Sequence, residues 1–384
     1  MSISENNIGV SQLRIFVLLC VFIGGLGQGV VNPKLPEILK DQSHLAINSG
    51  ISASLMYMAI FLASFVYGKV ADRGYVFRLL MGGLIAYSVV LISFIYSHSV
   101  NQVFILRFLE GLSLSAMYIA ADVVLCRASS DKDRGQWLSY YGVAISIGLL
   151  LGPAMLLLVS FVHGQEDLAV SLLVVAGLAL LFSIVSFFFR LPSTGAEPTT
   201  QITHKSAAMG AVLYGFFEAG LVAVLSAVIA QSFSGIKVEV IFTVLILSAA
   251  LASIVWGILI DKIGGKNTFA WVCLSLAVSL GLVSFLTLQF TQTFIIYLAA
   301  VGFGIAAGGI YPAGFAWLVT GVPASGLGYA SGYFTRAYGL GSLVGPLVFG
   351  FSVDRLGANG LFVLSALVGL AGFIFAKKSS MLKG

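Results

Sequence analysis

Apolar residues along this chain neither alternate nor repeat at the spacing of one buried helix face. They run together for roughly 20 residues at a time, the length one α-helix needs to cross a hydrocarbon layer of about 30 Å. Runs bounded by charges, Gly/Asn clusters or short polar stretches predict twelve membrane helices. These cover 14–35, 50–69, 78–97, 103–126, 138–160, 168–189, 207–230, 241–260, 268–287, 294–318, 328–350 and 361–376. The first run is too long for a secretion signal, contains Pro33 and lacks a small-x-small cleavage site before the next polar stretch. It reads as the first spanning helix.

Composition narrows the function classes. Of 384 residues, 59% are apolar and 9% charged, against about 25% charged in a soluble protein. That is too little charge to coat a water-facing surface, which excludes an ordinary globular enzyme, a disordered chain and a nucleic-acid binder. The net charge of +5 would suggest anionic partners if the charges were not so unevenly placed. With the N-terminus in the cytoplasm, fourteen Lys and Arg fall on the cytoplasmic side, four on the other, and Arg107 and Arg336 lie inside spans. The bias predicts cytoplasmic termini and needs no nucleic-acid partner. Cys20, Cys126 and Cys273 sit in apolar runs without metal spacing, and the four histidines lie outside the spans, so no metal site is expected. Gly24, Gly25, Gly27 and Gly29 cluster inside a span rather than between a strand and a helix, which is not a nucleotide fingerprint. No phosphate-binding loop is present, so no cofactor and no direct use of ATP is expected. No loop is large enough for a soluble catalytic domain, and the expectation is a protein that is not an enzyme.

The chain repeats itself. Gly68-Lys-Val-Ala-Asp72-Arg73 ends the second span and Gly257-Ile-Leu-Ile-Asp261-Lys262 the eighth, at an offset of 189. At 190, Gly25-Leu-Gly-Gln28 falls on Gly215-Phe-Phe-Glu218; at 193, Gly148-Leu-Leu-Leu-Gly152-Pro153 recurs as Gly341-Ser-Leu-Val-Gly345-Pro346. The predicted fold is an all-α membrane protein of twelve helices in two pseudo-symmetric six-helix bundles, 1–189 and 207–384, joined by a cytoplasmic linker at 190–206. Parallel six-span repeats are a transporter architecture with a substrate site between the halves. Over essentially its whole length the chain resembles the major facilitator superfamily of secondary transporters, in particular short bacterial members with minimal loops.

The resemblance gives several residues an implied role. Gly68-Lys69-Val70-Ala71-Asp72-Arg73-Gly74 is similar to the family signature G-x-L-A-D-R-x-G-R-K, although its second glycine comes one residue early and Val76-Phe77 replace basic residues. In the family this loop latches the two halves on the cytoplasmic side, where an acid can meet the positive end of a neighbouring helix. The second copy, Asp261-Lys262-Ile-Gly-Gly-Lys266, fits better. Asp122, near the cytoplasmic end of span four, joins this group as a candidate partner of Arg73 or Arg78. The competing reading of the basic residues is an anchor that only sets topology. The Gly-xxx-Gly-Pro stretches at Gly148, Gly152, Pro153 and Gly341, Gly345, Pro346 combine close helix approach with a kink. In the family this motif in span five is associated with proton-exchanging exporters, but symmetric packing would produce it too.

Charges inside spans are the remaining candidates. Arg107 and Glu110 are three apart, share a helix face and resemble the family's R-x-x-Q-G segment with Glu in place of Gln. A mid-bilayer charge costs about 3 kcal/mol unless paired or hydrated, so the pair either positions helices or forms a proton site. Glu218 lies halfway along an otherwise uncharged run, and its repeat mate Gln28 cannot titrate. A carboxylate whose charge depends on its surroundings suits proton coupling, while an ion pair with Arg336 would make Glu218 structural. Asn32, Tyr118, Tyr214, Tyr311 and Tyr333 complete a candidate cavity, with Tyr118/Tyr311 and Tyr140/Tyr333 at matching positions; Tyr140 and Tyr141 also fit an interfacial belt. The expectation is proton-coupled export of a small organic solute, a drug or metabolite, by a monomer in the lipid bilayer of a bacterial inner membrane. Import of an anionic metabolite, such as an organic acid or a carboxylate siderophore held by Arg336, is the alternative.

Overall fold

The computed structural model describes residues 9–39, 45–130, 132–163, 167–189, 199–232, 238–289 and 294–379. Residues 190–198 of the expected linker lie outside them. The described residues form twelve α-helices and no strand: α1 Val10–Leu39, α2 Leu45–Val70, α3 Val76–Ile95, α4 Val100–Ala128, α5 Arg134–His163, α6 Leu168–Ser186, α7 Met209–Ser232, α8 Val238–Ile263, α9 Gly265–Gln289, α10 Phe294–Val319, α11 Leu327–Leu356 and α12 Ala358–Lys378. Among the described residues ten stretches are long and apolar enough to cross a membrane, one of them running through α2 and α3.

Most helices outrun the apolar runs that predict them. α1 and α5 have 30 residues each, about 45 Å of helix at 1.5 Å per residue, so their ends stand beyond a hydrocarbon layer of about 30 Å. There the helix continues until a cap or a break stops it. Ser99 and Gln102 form a reciprocal capping box at the start of α4, and Asp167 accepts from the Val170 amide at 3.1 Å to open α6. Between α2 and α3 the chain turns through a π-helical segment, Ala71–Tyr75, in which Gly74 takes φ 90°, a conformation that favours glycine.

The distribution of side chains is that of a protein solvated by lipid. Phe161 is 88% and Leu347 75% exposed, while Ser88, Ser115, Ser171 and Ser365 are fully buried. Lipid tails provide no hydrophobic force between helices, so small and hydroxyl residues go inside, where backbones approach closely and hydroxyls bond carbonyls. Ser88 Oγ donates to the Ala176 carbonyl at 2.9 Å, tying α3 to α6.

Helix packing repeats with the sequence. α2 packs on α4, α3 on α4 and α6, and α1 on α4; six helices later, α8 packs on α10, α9 on α10 and α12, and α7 on α10. The glycine motifs mark two further crossings. A Cβ on Gly148 would meet the Phe22 carbonyl and one on Gly152 the Gly29 backbone, so α5 lies backbone to backbone on α1. In the same way a Cβ on Gly341 would meet the Val212 carbonyl and one on Gly345 the Phe216 carbonyl, placing α11 on α7. Pro153 and Pro346 sit inside these helices, as Pro312 does in α10.

Packing divides the chain into two compact units. The first comprises Met1–Ser130, Ala144–Gln201 and Val322–Thr335; the second comprises Asp131–Val143, Ile202–Gly321 and Arg336–Gly384. The first third of α5 and the first turns of α11 thus each pack with helices of the other sequence repeat.

Candidate functional site

The first unit holds an acid at the start of a helix. Asp72, on the turn after α2, accepts hydrogen bonds from the amides of Gly328 at 2.7 Å and Tyr329 at 2.6 Å, in the first turn of α11. Those amides have no partner within their own helix, and a carboxylate there also meets the positive end of the helix dipole. Glycine makes the approach possible: Gly68 and Gly328 each face the other's carbonyl so closely that neither has room for a Cβ. Arg127 Nη2 lies 3.4 Å from the same carboxylate, and its Nε donates to the Ala324 carbonyl at 3.1 Å. Ser331 Oγ donates to Asp122 at 2.8 Å one turn deeper. Arg127 was not legible as a member of this group. Arg73 and Arg78, the expected partners of Asp122, are exposed, and Arg78 lies over the Tyr75 ring at 5.1 Å.

The second unit repeats the arrangement at the offset of 189. Asp261 accepts from the amides of Gly135 at 2.7 Å and Gln136 at 3.1 Å, in the first turn of α5, and Gly257 packs against Ser139. Ser253 Oγ donates to the Ser139 carbonyl at 3.1 Å. Lys262 is exposed, and Lys266 Nζ sits 5.7 Å from the Trp317 ring centroid. The two signature acids therefore do the same thing, each capping a helix from the other sequence repeat.

Two polar groups lie deeper. In the first unit Arg107 Nη1 and Glu110 Oε2 are 2.6 Å apart with both residues almost fully buried, while among the described residues Arg107 Nε and Glu110 Oε1 have no hydrogen-bond partner. Gln28 Nε2 donates to Tyr118 Oη at 3.0 Å across α1 and α4, both half-buried, and Asn32 is exposed. Tyr87, absent from the candidates, is fully buried and donates to the Gly24 carbonyl at 3.0 Å; Gly27 leaves the space its hydroxyl fills. The glycine cluster of α1 is thus a packing surface for Tyr87, Tyr118 and α5.

In the second unit Glu218 is half-buried and accepts from Tyr338 Oη at 2.7 Å. Tyr338, also absent from the candidates, is two residues after Arg336, and such neighbours do not share a helix face. Arg336 is half-buried on α11, and Tyr333, half-buried about one turn earlier, belongs to the first unit. Tyr214 and Tyr311 are half-buried and in ring contact at 5.6 Å. Tyr141 differs from a belt residue: it is 3% exposed and stacked on Tyr311 at 5.3 Å, because the first third of α5 packs within this unit. Among the described residues no group of three or more His, Cys, Asp or Glu could hold a metal ion.

Comparison with known proteins agrees with this architecture. The chain is 26% identical over 376 residues to the uncharacterised MFS-type transporter YfkF of Bacillus subtilis, covering 93% of each chain. It is 23% identical over 388 residues to the proton-coupled antiporter flippase LtaA of Staphylococcus saprophyticus, covering 97% of this chain and 96% of that one. The crystal structure of the human organic anion transporter MFSD10 superposes with a TM-score of 0.81 at 18% identity, over 96% of this chain and 100% of that one, a likeness of fold. The profile of the Major Facilitator Superfamily matches residues 17–208 and 207–379. A twelve-helix, internally repeated membrane protein matched to that profile along almost its whole length belongs to the Major Facilitator Superfamily of transporters.

Proposed function

We propose that this chain exports a small organic solute in exchange for protons, with Glu218 as the coupling carboxylate. The observation that carries the reading is Glu218 itself. It is an acid midway along a membrane helix, partly accessible, and its partner among the described residues is a neutral tyrosine hydroxyl. Such a group can gain and lose a proton without breaking an ion pair, and a proton and a solute that both act on it bias the same conformational equilibrium. The name of the similar protein LtaA, a proton-coupled antiporter, supports the same mechanism. Arg107 and Glu110 form a second, more deeply buried carrier whose two unpartnered atoms leave it poorly optimised for stability alone.

The cycle runs by alternating access between the repeats 1–189 and 207–384. The ties of Asp72 to α11 and Asp261 to α5 lie on the side that the charge bias assigns to the cytoplasm, and they break and re-form in each turnover. The protein works as a monomer in a bacterial inner membrane with both termini in the cytoplasm.

Uphill solute movement tests the reading. Proteoliposomes holding the purified protein and given an inward-acid gradient are offered radiolabelled organic cations, organic acids and neutral solutes. One class is expected to accumulate inside against its gradient, in exchange for protons leaving. If every class only equilibrates, or accumulation persists when a protonophore collapses the gradient, proton-driven export is wrong.

A further inference from the structure

Beside the turn that joins them, the end of α2 and the start of α3 leave a gap. α2 packs on α4, and α3 on α4 and α6, so the two helices scarcely touch each other. A shallow, open cavity of about 350 Å³ lies there, lined by Tyr67, Val70, Tyr75, Arg78 and Leu79, all within the first unit. Arg78 is exposed, its guanidinium lies over the Tyr75 ring at 5.1 Å, and among the described residues no carboxylate pairs with it. Lys69 and Arg73 are exposed on the same turn. Its one acid, Asp72, is buried and turned to the amides of α11. The outward side of the turn therefore carries cations only.

Two apolar stripes run from this cavity toward the middle of the membrane. On α2, Val66 and Leu62 lie one and two turns before Val70 and are exposed. On α3, Gly82, Ile85 and Val89 continue the face of Arg78 and are exposed as well. A Cβ on Gly82 would meet nothing within 4 Å, so the wall of the groove is low at that point.

The second repeat has no such opening. Gly74 at φ 90° and Gly264 at φ 82° hold the same place in the two turns, so Tyr75 and Arg78 correspond to Gly265 and Thr268. Gly265 has no room for a Cβ against the Trp317 backbone, and Thr268 is fully buried with its hydroxyl donating to the Gly264 carbonyl at 3.0 Å. Trp256, the counterpart of Tyr67, donates inward to the Ile305 carbonyl at 2.8 Å. Both turns place an acid on a helix start, and the second does so without an open ring, a free guanidinium or a groove. Capping therefore leaves these features of the first turn unexplained. A topology anchor does too, since it needs charge alone.

We infer that the groove between the end of α2 and the start of α3 binds one acidic phospholipid. Its phosphate is held by Arg78, whose planar fork suits phosphate and is steadied by the Tyr75 ring. One acyl chain lies along the stripes of Val66 and Leu62 on one side and Gly82, Ile85 and Val89 on the other. Lys69 and Arg73 favour a headgroup with net negative charge and repel the ammonium of a zwitterionic one.

Native mass spectrometry of the purified full-length protein in detergent tests this. Parent and variant share one sample, so both meet the same lipid. Dioleoyl phosphatidylglycerol is expected to bind the parent more tightly than dioleoyl phosphatidylcholine. Arg78→Gln should weaken phosphatidylglycerol binding about fivefold, the worth of one basic group at a membrane surface. Gly82→Phe, which fills the groove and leaves every charge in place, should weaken it as well. Arg355→Gln is the control: Arg355 is exposed and lies over the Phe351 ring at 5.2 Å, so the same charge and ring are removed from each other where no groove is found among the described residues. It should leave binding unchanged. Melting temperature confirms that each variant is folded. Equal affinity for the two lipids, or undiminished binding in Arg78→Gln, would overturn the inference. Equal losses in Arg355→Gln and Arg78→Gln would reduce it to diffuse charge attraction. Displacement of the lipid by excess glycerol phosphate, or full binding in Gly82→Phe, would make this a site for a phosphate group alone and remove the lipid.

Discussion

Asp72 and Asp261 occupy equivalent places in the two repeats, yet their settings differ. Asp72 is 5% exposed and has Arg127 beside it, whereas Asp261 is half-buried and binds two backbone amides. Hydrogen bonds to a charged group contribute about 1.5–3 kcal/mol and a helix-end charge up to about 2 kcal/mol where it is partly buried. Asp72→Asn keeps one acceptor oxygen but removes the charge and the second acceptor and leaves Arg127 without its anion, so it should cost about 2–3 kcal/mol; Asp261→Asn should cost about 1 kcal/mol. Thermal melting in detergent checks the order, and equal losses would show that Arg127 adds nothing. For Glu110→Gln the expected loss is about 3 kcal/mol, because Arg107 stays buried and uncompensated. The double variant Arg107→Met, Glu110→Leu should melt no lower than the parent while losing solute-driven proton flux. Retained flux would reduce the pair to a packing role.

Helices were the most legible elements of this chain, and helix crossings were legible by half. A run of about 20 apolar residues admits one structure in lipid, since every backbone polar group must be satisfied internally, and all twelve predicted spans coincide with a helix. The Gly-xxx-Gly stretches announced close contacts, but not that Gly148 and Gly152 meet α1 while Gly341 and Gly345 meet α7. The partner of a flat helix face is chosen by the whole bundle. For the same reason Arg127, Tyr338 and Tyr87 escaped sequence reasoning: each is an ordinary residue whose function comes from the neighbour across a crossing. Tyr338 had a signal that was available, since it lies two residues beyond Arg336 in the same span. Substitution tests the crossings. Gly152→Ala and Gly345→Ala each push a Cβ into backbone and should destabilise by about 1–3 kcal/mol. Gly177→Ala, where nothing lies within 4 Å, should be neutral or stabilising by about 0.5–1 kcal/mol from helix propensity. Equal melting temperatures for all three would contradict the packing described.

At the scale of the molecule, two physical patterns written in the sequence account for most of the architecture. Repetition of Gly68–Asp72 at Gly257–Asp261 foretold that both acids would do the same work, and each caps a helix from the opposite repeat. The uneven distribution of Lys and Arg predicts the cytoplasmic face for those acids. A fluorescent protein fused after Gly384 is therefore expected to fluoresce, and an alkaline phosphatase fused there to be inactive; the reverse pattern would invert the topology. What neither pattern reveals is the solute, because the half-buried polar residues of the second unit lie on helices that the sequence holds far apart. The central claim is that Glu218 couples solute to protons. Internal pH of proteoliposomes, followed with a trapped indicator when the transported solute is added, tests it most directly with the parent and Glu218→Gln side by side. Solute-dependent proton movement in the parent that is absent from a folded Glu218→Gln variant is the predicted result, and undiminished proton movement in the variant would contradict it.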